Sequence, residues 1–246
     1  EELNFAKIKA GILVQNIVHG NYPTTLDDSN NIIYEDRGQW MSGYFAGLLW
    51  LVYEYSNKEI FRVYAETWTA NLELQKFNKS THDLTLLFMA SFGNGYRLTH
   101  NQVYKDVLVI GANSVMTRYD SIIGCIKAWD FFNYGLWEQF PVALDQFLGL
   151  QYLVSVSNIS DNNKLKHIAY QQALEMIDAF IRPDGSTYYV VEYDTITGEI
   201  IDKMTLLGYD NSSTWTRGHA RSIYGLSLFY KEFGDSIFLQ NATKVA

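Results

Sequence analysis

The sequence predicts an all-α protein built of stacked helical hairpins, either an α/α solenoid or a closed toroid. Three features of its 246 residues support this prediction: only 3 prolines occur, most apolar residues are spaced as in helices, and one hairpin pattern repeats. Hydrophobic residues make up 48% of the chain and charged residues 19%, which is typical of a folded globular protein. We expect a single domain over residues 1–246.

Apolar periodicity predicts nine helices, at residues 4–19, 43–56, 58–76, 83–98, 102–118, 141–156, 163–181, 215–233 and 236–246. Four stretches share one plan, in which a helix ends on tyrosine, a short polar turn follows and an amphipathic helix restarts. These stretches lie at 53–66, 96–107, 152–173 and 230–246. The remaining connections are longer, at 20–42, 77–82, 119–140 and 182–214. Short turns on one side and long loops on the other indicate stacked helical hairpins.

One β-hairpin interrupts the helices near residues 186–203. "STYYVVEYD" is followed by "TITG" and then by "EIIDKM", so that β-branched and aromatic residues alternate on both sides of a turn containing glycine. This alternation predicts two antiparallel strands.

The long loops all lead into the first helix of a hairpin, so they gather at the N-terminal ends of those helices. Free N–H groups and a partial positive charge at such ends favour an anionic ligand. "STWTRG" at 213–218 lies there, and Trp215 and Arg217 are not needed for capping. An indole offers a sugar ring a flat apolar face, and a guanidinium offers a carboxylate two hydrogen bonds.

Two acidic residues are candidates for proton transfer. Asp83 follows His82 at a helix start, where the helix dipole also favours an acid of purely structural role. Asp145 lies in "FPVALDQFLGLQYL", one turn into the predicted helix 141–156, where burial raises the pKa of a carboxyl group. The alternative for Asp145 is a structural pair with an arginine or a backbone N–H. Two acids on one face beside tryptophan and arginine suggest acid/base chemistry on a carbohydrate.

Composition and spacing argue against several other classes of function. A net charge of −8 without a basic cluster disfavours binding of nucleic acid. The sequence contains no run of 18 apolar residues, so it predicts no membrane-spanning helix. His82, His100, His219 and the single Cys125 show no metal-ligand spacing, so we expect neither a metal nor another cofactor. The compartment stays undetermined, although four glycosylation sequons slightly favour an extracytoplasmic location: Asn78, Asn158, Asn211 and Asn241.

Seven stretches carry the most specific information on function: "QWMSGYFAGLLWLVYEYS", "HDLTLLF", "GCIKAWD", "FPVALDQFLGLQYL", "RPDGSTYYVVEYD", "TGEII" and "STWTRGHARSIYGLSLFY". They resemble the unsaturated glucuronyl hydrolases of glycoside hydrolase family 88, with family 105 as a near relative. They occur in family order and cover roughly the N-terminal two thirds of the family domain. The resemblance implies an (α/α)6 toroid that degrades polysaccharide fragments.

The resemblance also implies an acidic oligosaccharide substrate whose non-reducing end is the unsaturated uronic acid left by a polysaccharide lyase. An acid protonates C4 of the enol ether, water adds at C5, and the hemiketal collapses to release the next sugar. By matching position, Asp145 is the general acid/base and Asp83 its carboxylate partner. The implied substrate-binding residues are Trp40, Trp129, Tyr189, Trp215, Arg217 and His219.

The sequence departs from the family pattern at three places. Tyr189 stands where the family usually has His, Leu207 stands in place of Gln, and His219–Arg221 replace Gln-Ala-Trp. The changes at Tyr189 and Leu207, together with a count of helices too low for a closed ring, favour a second hypothesis, a catalytically degenerate carbohydrate-binding or structural protein on the same scaffold. A third hypothesis is a conventional glycosidase that uses Asp83 and Asp145 as an acid pair, with carboxyl groups roughly 5–10 Å apart.

Closure of the ring is a further expectation. A ring of six hairpins needs twelve helices, whereas the sequence predicts nine and shows no Gly or Pro stop signal before Ala246. We therefore expect a truncated domain and an incomplete toroid, with a missing segment or a second chain completing the ring.

Overall fold

The computed structural model describes residues 2–17, 20–130 and 139–246. These residues group into two compact units. The first unit comprises the described residues of Glu1–Asn78 and Leu86–Ser114, and the second those of Lys79–Thr85 and Val115–Ala246. The end of the predicted helix 4–19 and part of the predicted loop 119–140 lie outside the described residues. Among those described, no helix combines the length and apolar character that a membrane crossing requires.

Helices occur close to all nine predicted positions. Their bounds are α1 Glu2–Asn16, α2 Ser42–Ser56, α3 Glu59–Ala70, α4 Leu84–Phe88, α5 Asn94–Thr99, α6 Gln102–Met116, α7 Gln146–Ser160, α8 Asn163–Phe180, α9 Thr216–Phe233 and α10 Ser236–Val245. Two predicted helices are not continuous. A π-helical turn, Met89–Gly93, separates α4 from α5, and a 3₁₀ turn, Glu73–Phe77, follows the end of α3.

The predicted short turns between paired helices share one backbone device. Each first helix ends at a residue in the left-handed conformation: Asn57 (φ 51°), His100 (φ 53°), Asp161 (φ 54°) and Gly234 (φ 70°). At three of these turns the cap N–H donates at 2.8 Å to the carbonyl of a tyrosine four residues earlier, namely Tyr53, Tyr96 and Tyr230. This geometry satisfies a carbonyl at the helix end and reverses the chain. It explains why a short polar turn and a new helix recur in the sequence.

The strands form small antiparallel sheets. Their bounds are β1 Tyr22–Leu26, β2 Ile32–Glu35, β3 Tyr119–Asp120, β4 Cys125–Ile126, β5 Phe140–Ala143, β6 Val190–Tyr193 and β7 Ile200–Met204. The predicted β-hairpin is confirmed as β6 and β7, which pair from Val190 with Met204 to Tyr193 with Ile200. The prediction of only one hairpin is wrong, because β1 pairs with β2 and β3 with β4 inside long loops.

The predicted start of a helix at residue 141 is also wrong. Phe140–Ala143 is a strand that pairs along its length with β6, from Phe140 opposite Tyr193 to Ala143 opposite Val190. All four of its residues are buried, so its sequence is apolar throughout and shows no alternation. Helix α7 begins only at Gln146, with Asp145 as its N-cap residue. Asp145 therefore lies at the junction of a strand and a helix rather than one turn inside a helix.

Helix packing in the second unit supports this junction. Helix α7 contacts α8 and α9, and α9 contacts α10. At Gly225 a Cβ atom would lie 2.5 Å from the backbone carbonyl of Phe147, so only glycine allows α9 to approach α7 this closely. This close approach fixes α9 against the first turn of α7, next to Asp145.

Candidate active site

Asp145 is a buried carboxylate whose two oxygen atoms differ in their surroundings. Its side chain is only 6% exposed. The Tyr189 hydroxyl donates to Oδ2 at 2.9 Å, and Nη1 of Arg221 donates to the same oxygen at 2.5 Å. Oδ1 is buried and has no hydrogen-bond partner among the described residues. Since buried polar atoms are nearly always paired, this oxygen is a candidate for contact with a ligand or a reacting water molecule.

Tyr189 is fixed by hydrogen bonds of both its backbone N–H and its backbone carbonyl. Its N–H donates to the carbonyl of Met204 at 2.9 Å, and its own carbonyl accepts from the N–H of Leu144 at 2.8 Å. The second bond ties Tyr189 to the residue directly before Asp145, so the pairing of β5 with β6 also brings the phenol to the carboxylate. Burial raises the pKa of Tyr189 far above its ordinary value, and the charge and hydrogen bond of Asp145 raise it further. The phenol therefore stays protonated and donates its hydrogen bond.

The start of α9 places an indole and a guanidinium beside Tyr189. The ring centroids of Trp215 and Tyr189 lie 4.7 Å apart in an edge-to-face arrangement, and the Arg217 guanidinium lies 4.4 Å from the centroid of Trp215. A Cβ atom at Gly218 would lie 2.9 Å from the ring of Tyr189, so glycine permits this contact. The sequence motif at 213–218 therefore builds a continuous run of contacts from Asp145 through Tyr189 and Trp215 to Arg217.

Arg182 holds the loop that leads into α9. Its Nη2 donates to the carbonyls of Asn211 at 2.8 Å and Ser213 at 3.1 Å, and to the Thr205 hydroxyl at 3.3 Å. Its guanidinium also lies over the ring of Tyr188, 4.0 Å from the centroid. Because two of these bonds run from a residue just after α8 to the segment just before α9, Arg182 holds the segment that leads to Trp215, the N-cap residue of α9.

Asp83 is held by a separate set of donors. Nε1 of Trp129 donates to its Oδ2 at 2.9 Å, and the Thr81 hydroxyl donates to the same oxygen at 2.8 Å. Nε2 of His82 lies 3.6 Å from the other oxygen, while Nδ1 of His82 lies 3.0 Å from the carbonyl of Ala128. Asp83 is thus oriented by the indole of Trp129, a residue for which the resemblance implies substrate binding.

Tyr189 connects the two acids electrostatically. The negative charge of Asp83 adds to that of Asp145 in raising the pKa of Tyr189, whereas the positive charge of Arg221 acts in the opposite direction. Both carboxylates therefore lie within electrostatic range of one phenol. Their assignment as acid and carboxylate partner stays a prediction.

Other predicted site residues have different contacts. Trp40 belongs to the first unit, where its ring packs edge-to-face on Tyr44 at 5.5 Å. His219 is half-buried, with Nδ1 at 3.1 Å from the Thr187 hydroxyl. Leu207 is 44% exposed, and its side chain has no hydrogen-bonding group. The predicted roles of Trp40 and His219 in binding sugar stay predictions.

Arg221 was not among the residues predicted for the site. The sequence did contain a clue, since Arg221 stands where the family pattern has Trp and one helical turn after Arg217. Its contact with Asp145 joins residues 76 positions apart, which no local pattern reveals. Within the described residues, no group of three or more His, Cys, Asp or Glu side chains has the arrangement of a metal site.

Comparisons with known proteins agree with the sequence motifs. No protein-family model matches the chain. An unsaturated glucuronyl hydrolase of Formosa agariphila is 37% identical over 224 residues, which make up 90% of this chain and 56% of that protein. An unsaturated chondroitin disaccharide hydrolase of Streptococcus agalactiae serotype III is 28% identical over 218 residues, 87% of this chain and 54% of the relative.

The solved structures include an unsaturated glucuronyl hydrolase specific for heparin. It is 30% identical to this chain and matches it with a TM-score of 0.94 over 99% of this chain and 64% of the other. The chain is similar to unsaturated glucuronyl hydrolases. This similarity confirms the resemblance inferred from the motifs and the predicted fold class, the all-α (α/α) toroid of those enzymes. The chain spans 56% and 54% of the two curated relatives described above.

Proposed function

We propose that the protein hydrolyses unsaturated uronyl oligosaccharides by acid/base-catalysed hydration of the C4=C5 enol ether. The observation that carries this proposal is the asymmetry of Asp145, whose Oδ2 accepts two hydrogen bonds while its buried Oδ1 has no partner among the described residues. A carboxyl group held in this way presents a single oxygen for proton transfer. Orientation of the reacting group is itself a large part of acid/base catalysis.

In the proposed reaction, Asp145 delivers a proton to C4 and water adds to C5. The carboxylate takes a proton back from the attacking water, so the net change is the addition of one water molecule across the double bond. The hemiketal at C5 then opens to a ketone by cleavage of its bond to the ring oxygen, which takes a proton and becomes the hydroxyl of a hemiacetal at C1. This hemiacetal collapses to an aldehyde, and the neighbouring sugar leaves from C1 as an alcohol that carries the hydroxyl proton. Asp83 acts as the carboxylate partner of Asp145, oriented by Trp129 and Thr81.

The substrate we propose is an acidic disaccharide or oligosaccharide. Arg217 pairs with the uronate carboxylate and Trp215 packs against the sugar ring, because a guanidinium and an indole face offer those contacts together. Relatives of the chain are named for chondroitin disaccharides and for heparin. Unsaturated disaccharides derived from these two polysaccharides are therefore the first substrates to test.

The test incubates the full-length protein with each unsaturated disaccharide. Loss of the ultraviolet absorbance of the conjugated enoate reports hydration, and NMR identifies the opened product. We expect turnover that Asp83→Asn reduces. Cleavage of saturated uronyl glycosides, together with unchanged enoate absorbance of the unsaturated disaccharides, would instead support a conventional glycosidase. Calorimetric binding of the disaccharide without turnover would support a degenerate carbohydrate-binding protein, the alternative suggested by Leu207.

A further inference from the structure

Two of the departures from the family pattern meet on one atom. Tyr189 replaces the usual His and Arg221 replaces the usual Trp, and both donate to Oδ2 of Asp145. These residues come from different elements, since Tyr189 directly precedes β6 and Arg221 lies in the second turn of α9. Two substitutions that are unrelated in the sequence therefore act on the same carboxylate oxygen.

The two donors are complementary in charge and geometry. Arg221 is largely buried, with a side chain only 14% exposed, and its ion pair with Asp145 provides charge compensation that a tryptophan would not give. The Tyr189 hydroxyl is a neutral donor on a ring held by the backbone bonds to Leu144 and Met204. A single donor still lets a carboxylate turn about its bond to Cβ, whereas two donors from different elements restrict this rotation further and favour one oxygen pointing away.

We propose that Tyr189 and Arg221 form one clamp that positions Asp145, each being effective only in the presence of the other. The clamp holds Oδ2 and so selects Oδ1 as the oxygen that exchanges a proton with substrate and water. This inference rests on the proposed function for its catalytic part. Tyr189 and Arg221 are positioning residues, because they act through Asp145.

A double-mutant cycle tests the coupling. We expect Tyr189→Phe and Arg221→Gln each to lower kcat by about 10- to 100-fold, the range that corresponds to loss of a hydrogen bond to a charged group. The double variant should lose no more than the worse single variant, because either change already releases the carboxylate. KM should change by less than about threefold if both side chains act through Asp145, whereas the substrate-binding role implied for Tyr189 would raise KM in Tyr189→Phe. Arg221→Lys should recover part of kcat.

Matched controls separate the clamp from general loss of a tyrosine or an arginine. Tyr170→Phe removes a hydroxyl that donates to Asp235 at 2.6 Å, and Arg97→Gln removes a guanidinium that donates to Glu54 at 2.6 Å. Both controls should retain wild-type kcat. Circular dichroism confirms that each variant is folded.

Reversion towards the family pattern provides a second readout. We expect Tyr189→His and Arg221→Trp each to lower kcat when made alone, and the double reversion to exceed both single variants. Losses of kcat that simply multiply in the Phe/Gln cycle, or a gain of kcat by either single reversion, would overturn the clamp.

Denaturation tests the clamp without catalysis. The shifts in urea midpoint caused by Tyr189→Phe and Arg221→Gln should be less than additive in the double variant. If the wild-type protein hydrates no unsaturated substrate, the proposed function fails, and this measurement alone then decides whether the clamp exists. Additive midpoint shifts would refute it.

Discussion

Replacement of Asp145 by asparagine removes the proposed proton donor with little change in shape. The structure predicts how the amide is oriented, because Tyr189 and Arg221 both donate hydrogen bonds and need an acceptor. The amide oxygen must therefore occupy the position of Oδ2, which places the NH₂ group where Oδ1 lies. An amide nitrogen at that position cannot deliver or accept the catalytic proton.

Asp145→Asn should lower both the activity and the stability of the protein. General acid/base catalysis contributes about 10²–10⁴-fold, so kcat of Asp145→Asn should fall by at least about 10²-fold. The hydrogen bonds survive, but their acceptor loses its negative charge, and Arg221 loses its counter-ion. Because both changes occur at a largely buried site, we expect the free energy of unfolding to fall by about 1–3 kcal/mol.

The assay combines steady-state loss of enoate absorbance with urea denaturation of the same preparation. Asp235→Asn is the matched control, because its carboxylate also accepts from a tyrosine hydroxyl, that of Tyr170 at 2.6 Å, and caps α10. Asparagine is an equally good N-cap residue, so this control should keep both activity and fold. Near-normal turnover by a folded Asp145→Asn protein would refute the assignment of Asp145 as the proton donor.

Three further predictions concern binding, packing and pH. Arg217→Ala should raise KM by about 10- to 100-fold with little change in kcat, because it removes a charge-assisted hydrogen bond to the uronate; an unchanged KM would contradict this role. Gly225→Ala should lower the free energy of unfolding by about 1–3 kcal/mol in urea titrations, because its Cβ would lie 2.5 Å from the Phe147 backbone; an unchanged midpoint would show that α9 and α7 can separate freely. The hydrogen bond and charge of Arg118 lower the pKa of Asp130. This pair therefore stabilises the fold at pH values above the ordinary aspartate pKa of about 3.9, and its contribution is lost as the pH falls through the lowered pKa. Asp130→Asn should therefore weaken the acid dependence of stability, and an unaltered dependence would argue against the pair.

Local features of the sequence determined the helices and their pairing. The turn between paired helices needs a left-handed residue and a short polar stretch, and the chain carries Asn57, His100, Asp161 and Gly234 at those positions. The hairpin of β6 and β7 could likewise be predicted from the sequence, because its alternating β-branched and aromatic residues and its turn lie within one stretch of chain. The sequence motif around Trp215 and Arg217 also predicts that the start of α9 belongs to the candidate site.

Tertiary structure decided the parts of the site that depend on distant partners. Phe140–Ala143 is apolar on both faces and matches a buried helix as well as a buried strand, so only its pairing with β6 settles the choice. Because of that pairing, Asp145 lies at the N-cap of α7 and Tyr189 lies beside it. Arg221 reaches the same carboxylate across 76 positions of sequence. The sequence by itself determined the helical hairpins, because their period and turns are local, whereas the surroundings of Asp145 arise only when a strand pairing and the packing of α9 bring remote residues together.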